Sequence, residues 1–436
     1  MSEVITMKVF LGIDLGSTTS KSVLVDSTGT IIGRGITNTR SDYTAAAKIA
    51  QVEAEFNSRF TLLHRRLIEL SQNGYNWDVV LSSLENRFHY LQFLARLEQL
   101  VSAMTEDAKM YPHADIREKM LARLPDLALR VRDRCRDLFY AGGVSTTSQF
   151  FRDLFSAAYT KEIEGTEPGL FDQMVALYDR CITPVENHQT DCEFGPLVTS
   201  ALKHLPIEYA ECIDQVKAEL EYVAAIDLVP TDYVGTGYGR QLLPFEEKHI
   251  KSEILCHAMG AHAFFPGTRT VLDIGGQDTK AIQVDQHGLV TSFQMNDRCA
   301  AGCGRYLGYI ADEMSMSVGE LGPMAMKATY EANICSTCTV FAGAELREYL
   351  NLGERKENIL AGLHKAIVQR AFALLARSGG VRNEFTFTGG VARNQAIVKY
   401  VSQMVHQNYG AVTINCHPDS IFMGALGASL FAARRT

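Results

Sequence analysis

Val9-Phe10-Leu11-Gly12-Ile13-Asp14-Leu15-Gly16-Ser17-Thr18-Thr19 carries an apolar run into an acid and a glycine, and Lys21-Ser22-Val23-Leu24-Val25-Asp26 follows with β-branched residues. That pattern predicts a strand, a polar turn and a second strand. It returns in Thr270-Val271-Leu272-Asp273-Ile274-Gly275-Gly276-Gln277-Asp278-Thr279-Lys280, followed by Ala281-Ile282-Gln283-Val284-Asp285. Asp14, Gly16, Lys21, Val25, Asp26 and Gly29 match Asp273, Gly275, Lys280, Val284, Asp285 and Gly288 at one constant offset. A single hairpin with Gly and Asp in its turn is unremarkable. Two in register point to a duplicated α/β domain with a cleft between its halves.

The chemistry such a pair offers is phosphate handling. Gly16, Gly275 and Gly276 let backbone N–H groups approach a ligand, Ser17, Thr18 and Thr19 add hydroxyl and amide donors, and Asp14 and Asp273 can hold a Mg²⁺ that neutralises phosphate charge. No G-x-x-x-x-G-K-[ST] sequence occurs, so a P-loop NTPase is not supported.

Composition narrows the classes around that core. The 436 residues predict two or more domains, and 42 Lys+Arg against 50 Asp+Glu give a net charge of −8, which argues against a general nucleic-acid binder. No apolar stretch approaches the ~20 residues that cross a bilayer, and Met1–Lys8 lacks a signal-peptide pattern, so a cytoplasmic protein without a membrane partner is expected. Ten cysteines in such a chain argue for metal or catalysis rather than a disulfide framework. Cys135, Cys181, Cys192, Cys212, Cys256 and Cys416 are scattered, whereas Cys299, Cys303, Cys335 and Cys338 are not.

The spacings Cys299-x3-Cys303 and Cys335-x2-Cys338 are compatible with Zn²⁺ or an iron–sulfur cluster, and spacing alone does not choose. Leu307, Ile310 and Met314 recur at helical spacing after the first pair, and Val340–Leu346 reads as a helix after the second. Each pair is thus expected to precede a helix N-terminus, whose free N–H groups and positive dipole end favour thiolates and an anionic cluster. Cysteines acting as small hydrophobes are the bland alternative, a poorer one for two close pairs.

Gly12–Thr19 is similar to the first phosphate motif of the acetate kinase, sugar kinase, Hsp70 and actin superfamily, and Asp273–Asp278 to the second. Phe387-Thr388-Gly389-Gly390-Val391-Ala392, ahead of Gln395-Ala396-Ile397-Val398, resembles its adenosine motif, and Val234-Gly235-Thr236-Gly237-Tyr238-Gly239-Arg240 resembles a further loop. The resemblance implies a duplicated actin-like (ribonuclease H-like) ATPase fold of the α/β class, with ATP and Mg²⁺ between two lobes. It assigns cofactor contacts to Gly16, Ser17, Thr18, Thr19, Gly235, Gly237, Gly239, Gly275, Gly276, Gly389 and Gly390. For hydrolysis, Asp14, Asp273 and Asp278 are candidates for metal or water positioning, and Gln277 for orienting the attacking water.

Met295–Arg305 and Cys338–Ala342 resemble one branch of that superfamily, the BadF/BadG/BcrA/BcrD ATPase family. It comprises ATPase subunits of benzoyl-CoA reductase and activators of 2-hydroxyacyl-CoA dehydratases. The resemblance implies a [4Fe–4S] cluster bridging two subunits, with two cysteines from each; the matching positions are Cys299 and Cys338. Cys303 stands where short activators usually carry threonine, and Cys335 matches no family ligand, so both are additional candidates.

The matching segments, 8–40 and about 226–436, imply a first lobe of 8–40 plus 226–268 and a second lobe of 269–436 bearing the cysteines, its C-terminal helix free to return to the first lobe. Between them, 41–225 is expected to be a large α-helical insertion in the first lobe: Leu84, Phe88, Leu91 and Leu94 form one stripe, and Met120, Leu121, Leu124, Leu127 and Val131 another. It suits partner docking and passive packing equally. Glu253 and His257 at i, i+4 read as helix packing or phosphate-loop support, and Ile421–Ala428 as a hinge-side helix.

The longer ATPase subunit of benzoyl-CoA reductase has a similar size and insertion. The resemblance therefore implies ATP hydrolysis coupled to low-potential electron transfer from reduced ferredoxin, for reductive dearomatisation of benzoyl-CoA. Its partners would be a second, smaller homologous ATPase subunit and the substrate-reducing subunits. The alternative is an activator of a 2-hydroxyacyl-CoA dehydratase; more remote are a sugar or carboxylate kinase and an actin- or Hsp70-like assembly protein without iron.

Overall fold

In the computed structural model, both hairpins form in the register that the repeat demands. The structure describes residues 5–39, 42–70, 75–140, 150–188, 192–296, 304–334 and 339–435. Strands β1 (Ile5–Leu15) and β2 (Thr19–Val25) pair antiparallel, and with β3 (Ile31–Asn38) and β4 (Ile226–Thr236) make a four-stranded sheet of order β3-β2-β1-β4. The second copy, β5 (Thr270–Ile274) and β6 (Thr279–Val284), joins β7 (Val290–Asn296), β8 (Phe385–Thr388) and β9 (Ile414–Asn415) in the order β7-β6-β5-β8-β9. β5 runs parallel to β8 and buries all five of its residues, as expected for a strand covered on both faces.

Between β3 and β4 the chain forms helices α1 (Tyr43–Leu70), α2 (Trp77–Lys109), α3 (Ala114–Tyr140), α4 (Phe151–Ile163), α5 (Pro168–Asn187), α6 (Phe194–Leu202) and α7 (Ile213–Ala224). α2 is long enough to serve two cores. Its first half buries Leu84 and Phe88 with Phe60 and Phe194, and its second half buries Leu97 and Leu100 with Leu124, Val131 and Phe155. Leu84, Phe88, Met120, Leu124, Leu127 and Val131 of the predicted stripes are buried, while Leu91, Leu94 and Leu121 are half-buried at the margins.

After β4 come α8 (Glu253–Phe264) and, beyond β7, α9 (Gly304–Met314), α10 (Val318–Ala325), α11 (Thr339–Asn351) and α12 (Lys356–Ser378); α13 (Gln395–Tyr409) and α14 (Met423–Ala433) complete the chain. α10 starts at a capping box of Ser317 and Glu320, and α12 stops at Gly379 in the left-handed conformation. Among the described residues α12 alone is long and apolar enough to cross a membrane; it is a core helix, with Leu360, Leu363 and Val368 buried against Phe385 and Phe387.

By chain contacts the molecule divides into two compact units, Met1–Met7 with Gly35–Val229, and Lys8–Arg34 with Pro230–Thr436. The first holds the seven helices α1–α7, and the second holds both hairpin turns and every element that shapes the site below.

Candidate functional site

The strand register places a lysine opposite each repeated aspartate, Lys21 across from Asp14 and Lys280 across from Asp273. Lys21 Nζ donates to Asp14 Oδ2 at 3.3 Å and Lys280 Nζ to Asp273 Oδ2 at 3.4 Å. Both carboxylates are buried, at 3% and 1% exposure, and a buried charge persists only when paired.

The second copy is the more heavily charged. Lys280 also reaches Asp278 Oδ1 at 2.7 Å and lies 4.0 Å from Glu253. Burial would lower its pKa, but the three acids, Asp273 first, raise it above the usual lysine range. Thr388 Oγ1 donates to Asp273 Oδ1 at 2.8 Å, and His257 Nδ1 lies 3.2 Å from the same oxygen. Burial pushes the Asp273 carboxyl up, yet His257, Lys280 and the Thr388 hydroxyl outweigh it and hold Asp273 well below the usual carboxylate range. Burial raises Glu253, with Asp278 and Asp14 adding to it and Lys280 opposing.

These groups face one small cavity of about 60 Å³. Asp14, Gly16, Ser17, Thr18, Thr19 and Lys21 line it from the first hairpin, Asp273, Gly275, Gly276, Asp278 and Lys280 from the second, and Tyr238, Glu253, His257, Gly389 and Gly390 close it. A larger cavity of about 680 Å³ shares Thr18, Thr19, Gly275, Gly276 and Gly390, then continues between α9 and α10, past Tyr309, Gly319 and Gly322, to Arg393 and Asn394. A charged, glycine-walled recess opening into a roomier, more apolar one has the shape and chemistry of a nucleotide site: phosphates at one end, nucleoside at the other.

One lining residue of the larger cavity, Asn394, belongs to a hydrogen-bonded chain. Asn394 Oδ1 caps α13 by accepting from the N–H groups of Ala396 and Ile397, and its Nδ2 donates to His364 Nε2 at 2.9 Å. His364 Nδ1 in turn donates to the Leu360 carbonyl at 2.6 Å, which assigns the neutral tautomer. Burial brings the His364 pKa down to about 4.

Eleven of the residues expected from the sequence meet at these cavities: Asp14, Gly16, Ser17, Thr18, Thr19, Asp273, Gly275, Gly276, Asp278, Gly389 and Gly390. Gly237 lies beside them with φ +92°, where a Cβ would stand 2.4 Å from Asp14 Oδ1, so only glycine fits. Gly235 and Gly239 line neither cavity. Gly235 bridges to Ile250 and packs under Leu243 and Phe245, and the Gly239 N–H donates to the Leu15 carbonyl at 2.9 Å, anchoring the loop to the end of β1. Gln277 lines neither cavity; with its amide oxygen turned to Arg305 it accepts from the guanidinium at 2.8 Å. Cys299, Cys303, Cys335 and Cys338 lie outside the described residues, which contain no cluster of metal-ligating side chains.

Lys21, Lys280, Tyr238, Arg305, Arg393 and Asn394 line the cavities without having stood out as site residues in the sequence. The two lysines were visible as matched positions in the repeat. Glu253 and His257, legible as neighbours one turn apart, turn their shared face to the acids. The α14 helix, read as a hinge-side element, brings Gly424 so close that a Cβ there would lie 2.8 Å from Asp14 Oδ2.

The family model described as the BadF/BadG/BcrA/BcrD ATPase family matches residues 11–432. The chain belongs to this family. Among the relatives of this family member, the (R)-2-hydroxyglutaryl-CoA dehydratase activating ATPase of Acidaminococcus fermentans is 42% identical over 202 residues, covering 46% of this chain and 75% of the relative. The 2-hydroxyisocaproyl-CoA dehydratase activator of Clostridioides difficile is 41% identical over 199 residues, 46% of this chain and 72% of the relative. A benzoyl-CoA reductase subunit of Thauera aromatica is 32% identical over 212 residues, 49% of this chain and 75% of the relative. The crystal structure of the Acidaminococcus fermentans (R)-2-hydroxyglutaryl-CoA dehydratase component A superposes with a TM-score of 0.52 at 23% identity, covering 98% of each chain. This likeness bears on the fold, which is the actin-like α/β ATPase fold.

Proposed function

We propose that this family member is an ATP-hydrolysing activator that delivers low-potential electrons to a partner enzyme of the 2-hydroxyacyl-CoA dehydratase kind. The reading is carried by the two carboxylate–lysine hairpins facing a single recess that opens into the larger cavity. Activators at 41–42% identity favour this client over the aromatic one expected from size and insertion, whose relative stands at 32%.

In this reading MgATP binds with its phosphates against Gly16–Thr19 and Gly275–Gly276, Lys21 and Lys280 offsetting their charge, and its nucleoside beside α9, α10 and Asn394. Mg²⁺ prefers hard oxygen ligands and keeps several waters; the carboxylates of Asp14, Asp273 and Asp278 offer that donor set at the recess wall. When bound, Mg²⁺ would neutralise charge on the transferring phosphoryl group. Glu253, its carboxyl raised by burial, suits proton exchange with an attacking water better than Gln277, whose amide is taken by Arg305.

Cys299 and Cys338, with Cys303 and Cys335 as further candidates, fall within five residues ahead of α9 and α11, which begin at Gly304 and Thr339. Helix N-termini suit thiolates and an anionic [4Fe–4S] cluster bridging two subunits, which would supply one-electron chemistry. We assign 8–40 plus 226–268 and 269–436 to the two ATPase lobes and 41–225 to an α-helical insertion in the first lobe, in a cytoplasmic protein.

The test is activation in a reconstituted system. Anaerobically purified protein, ATP and a strong reductant are expected to switch on a 2-hydroxyacyl-CoA dehydratase component, and to leave benzoyl-CoA unreduced when mixed with reductase subunits. Activation of the reductase alone would reverse the choice of client. ATP hydrolysis by iron-free protein that supports neither would return the chain to the kinase reading.

A further inference from the structure

Helix α9 divides its side chains among three neighbours. Tyr306, Leu307, Ile310 and Met314 are buried in the core with Leu272 and Phe387 of the second sheet. Arg305, Gly308 and Asp312, about one turn apart, line the larger cavity together with Tyr309. Tyr309 and Glu313, at i and i+4, meet α11. Tyr309 is common to the last two sets.

Its contact with α11 is close. Arg347 Nη1 donates to Tyr309 Oη and to Glu313 Oε1, each at 3.1 Å. One turn earlier on α11, a Cβ on Gly343 would stand 3.1 Å from Tyr309 Oη and 3.3 Å from its Cε1, so the ring lies against the α11 backbone. The phenol therefore borders both the cavity and α11. Two further ties keep α11 in place: Leu346 is buried in the core, and Tyr349 Oη donates to the Asn333 carbonyl at 3.2 Å.

The start of α9 is stapled to the second phosphate turn. The Gly304 N–H donates to the Gly275 carbonyl at 2.8 Å, the Arg305 N–H donates to the Gly276 carbonyl at 2.7 Å, and the Arg305 guanidinium holds the Gln277 amide. A ligand with phosphates at Gly275–Gly276 and a nucleoside in the larger cavity thus bears on α9 at two places, and Tyr309 is where α9 hands that contact to another helix.

We propose that Tyr309 is a positioning residue that ties the order of α11 to the occupancy of the larger cavity, with Arg347 as its partner on α11. The inference rests on the reading of that cavity as the nucleoside site and says how occupancy is felt outside it. A nucleoside packed on Tyr309 narrows the rotamers of the ring, and the ordered hydroxyl in turn holds Arg347. Linkage makes the effect mutual: a held α11 favours the bound nucleotide by the same factor. Cys338 stands one residue ahead of α11 in the chain, which gives that order a use in the proposed electron delivery.

The experiment measures amide hydrogen exchange of the full, anaerobically purified chain with and without saturating MgADP, beside the melting temperature of each variant. MgADP is expected to slow exchange in α10, which lines the cavity, and by about fivefold or more in α11, none of whose described residues lines it. Arg347→Met removes the tie at an exposed position outside the cavity: α10 keeps its slowing, while that of α11 falls below about twofold. Arg347→Lys, which keeps a donor, recovers most of the α11 response. Tyr309→Phe gives the same loss as Arg347→Met, although Glu313 still faces Arg347, and the double variant loses no more than either alone. A folded Arg347→Met or Tyr309→Phe whose α11 responds as the wild type does, additive losses in the double variant, or an unsubstituted α11 that ignores MgADP while α10 responds would each overturn the assignment. MgADP that slows neither helix and leaves the melting temperature unchanged would overturn the nucleotide site itself, a result distinguishable from all of these.

Discussion

Asn394 Nδ2 donates to His364 Nε2 across 2.9 Å, joining the N-terminus of α13 to the buried middle of α12. The bond requires a neutral imidazole, since Nδ1 already donates to the Leu360 carbonyl and a second proton would face the Asn394 amide hydrogens. The wall of the larger cavity thus depends on the charge state of a residue that never reaches the cavity.

That dependence makes stability pH-sensitive. Burial lowers the His364 pKa from 6.5 to about 4, so as pH falls the unfolded chain takes up the proton first. The contribution is complete above about pH 6.5 and lost as pH drops toward 4, by about 3 kcal/mol from this group alone. Urea unfolding at pH 7 and pH 4.5 should show it. His364→Leu should be less stable at pH 7, with Asn394 left unpaired, and show a flatter pH response; an unchanged pH slope would sink the assignment.

Lys280 and Lys21 hold equivalent places in the repeat but not equivalent weight. Lys280 is 3% exposed among Asp273, Asp278 and Glu253, so Lys280→Met strands two buried acids and a partly buried third and should cost about 3–5 kcal/mol. Lys21→Met leaves one. Chemical denaturation of the two variants side by side should rank Lys280→Met well below Lys21→Met, and equal losses would contradict the difference in environment.

Gly237→Ala should act on ligand binding more than on folding. The added methyl meets Asp14 Oδ1 at 2.4 Å with φ at +92°, so the loop must withdraw from the recess. Nucleotide affinity is expected to fall about tenfold or more, while the melting temperature drops by only a few degrees. Calorimetric titration with ATP and a thermal melt on the same sample decide it.

The cysteine assignment predicts about four irons per dimer in anaerobically purified protein. Cys299→Ser and Cys338→Ser should each lose the iron while retaining nucleotide binding, and Cys303→Ser should keep it. Iron and acid-labile sulfide analysis reads the result, and iron retained in both of the first two variants would remove them as ligands.

The hairpins were legible because strand period and turn chemistry are local: Asp14 and Lys21 are seven residues apart, and antiparallel pairing across a short turn puts them opposite each other. The helical stripes of 41–225 were legible for the same reason, although the sharing of α2 between two cores was not, since a single stripe does not say which neighbours it meets. Glu253 and His257 could be seen as a pair but not as a pair that faces acids. Gln277, read from the sequence as a candidate for orienting the attacking water, has its amide oxygen taken by Arg305 in the first turn of α9, beyond two intervening strands.

By itself the sequence determined the duplicated strand–turn–strand units, their aspartate, glycine and lysine positions, the helical character of the long central stretch and the placement of cysteines ahead of two helices. Only the tertiary structure decided which of the two equal aspartates gains a hydroxyl donor beside its lysine. Thr388 lies 115 residues from Asp273 in the chain, and α8 is brought to it by glycine contacts with α14. Such meetings depend on how closely packed backbones approach one another across long stretches of chain, and no local periodicity encodes that distance.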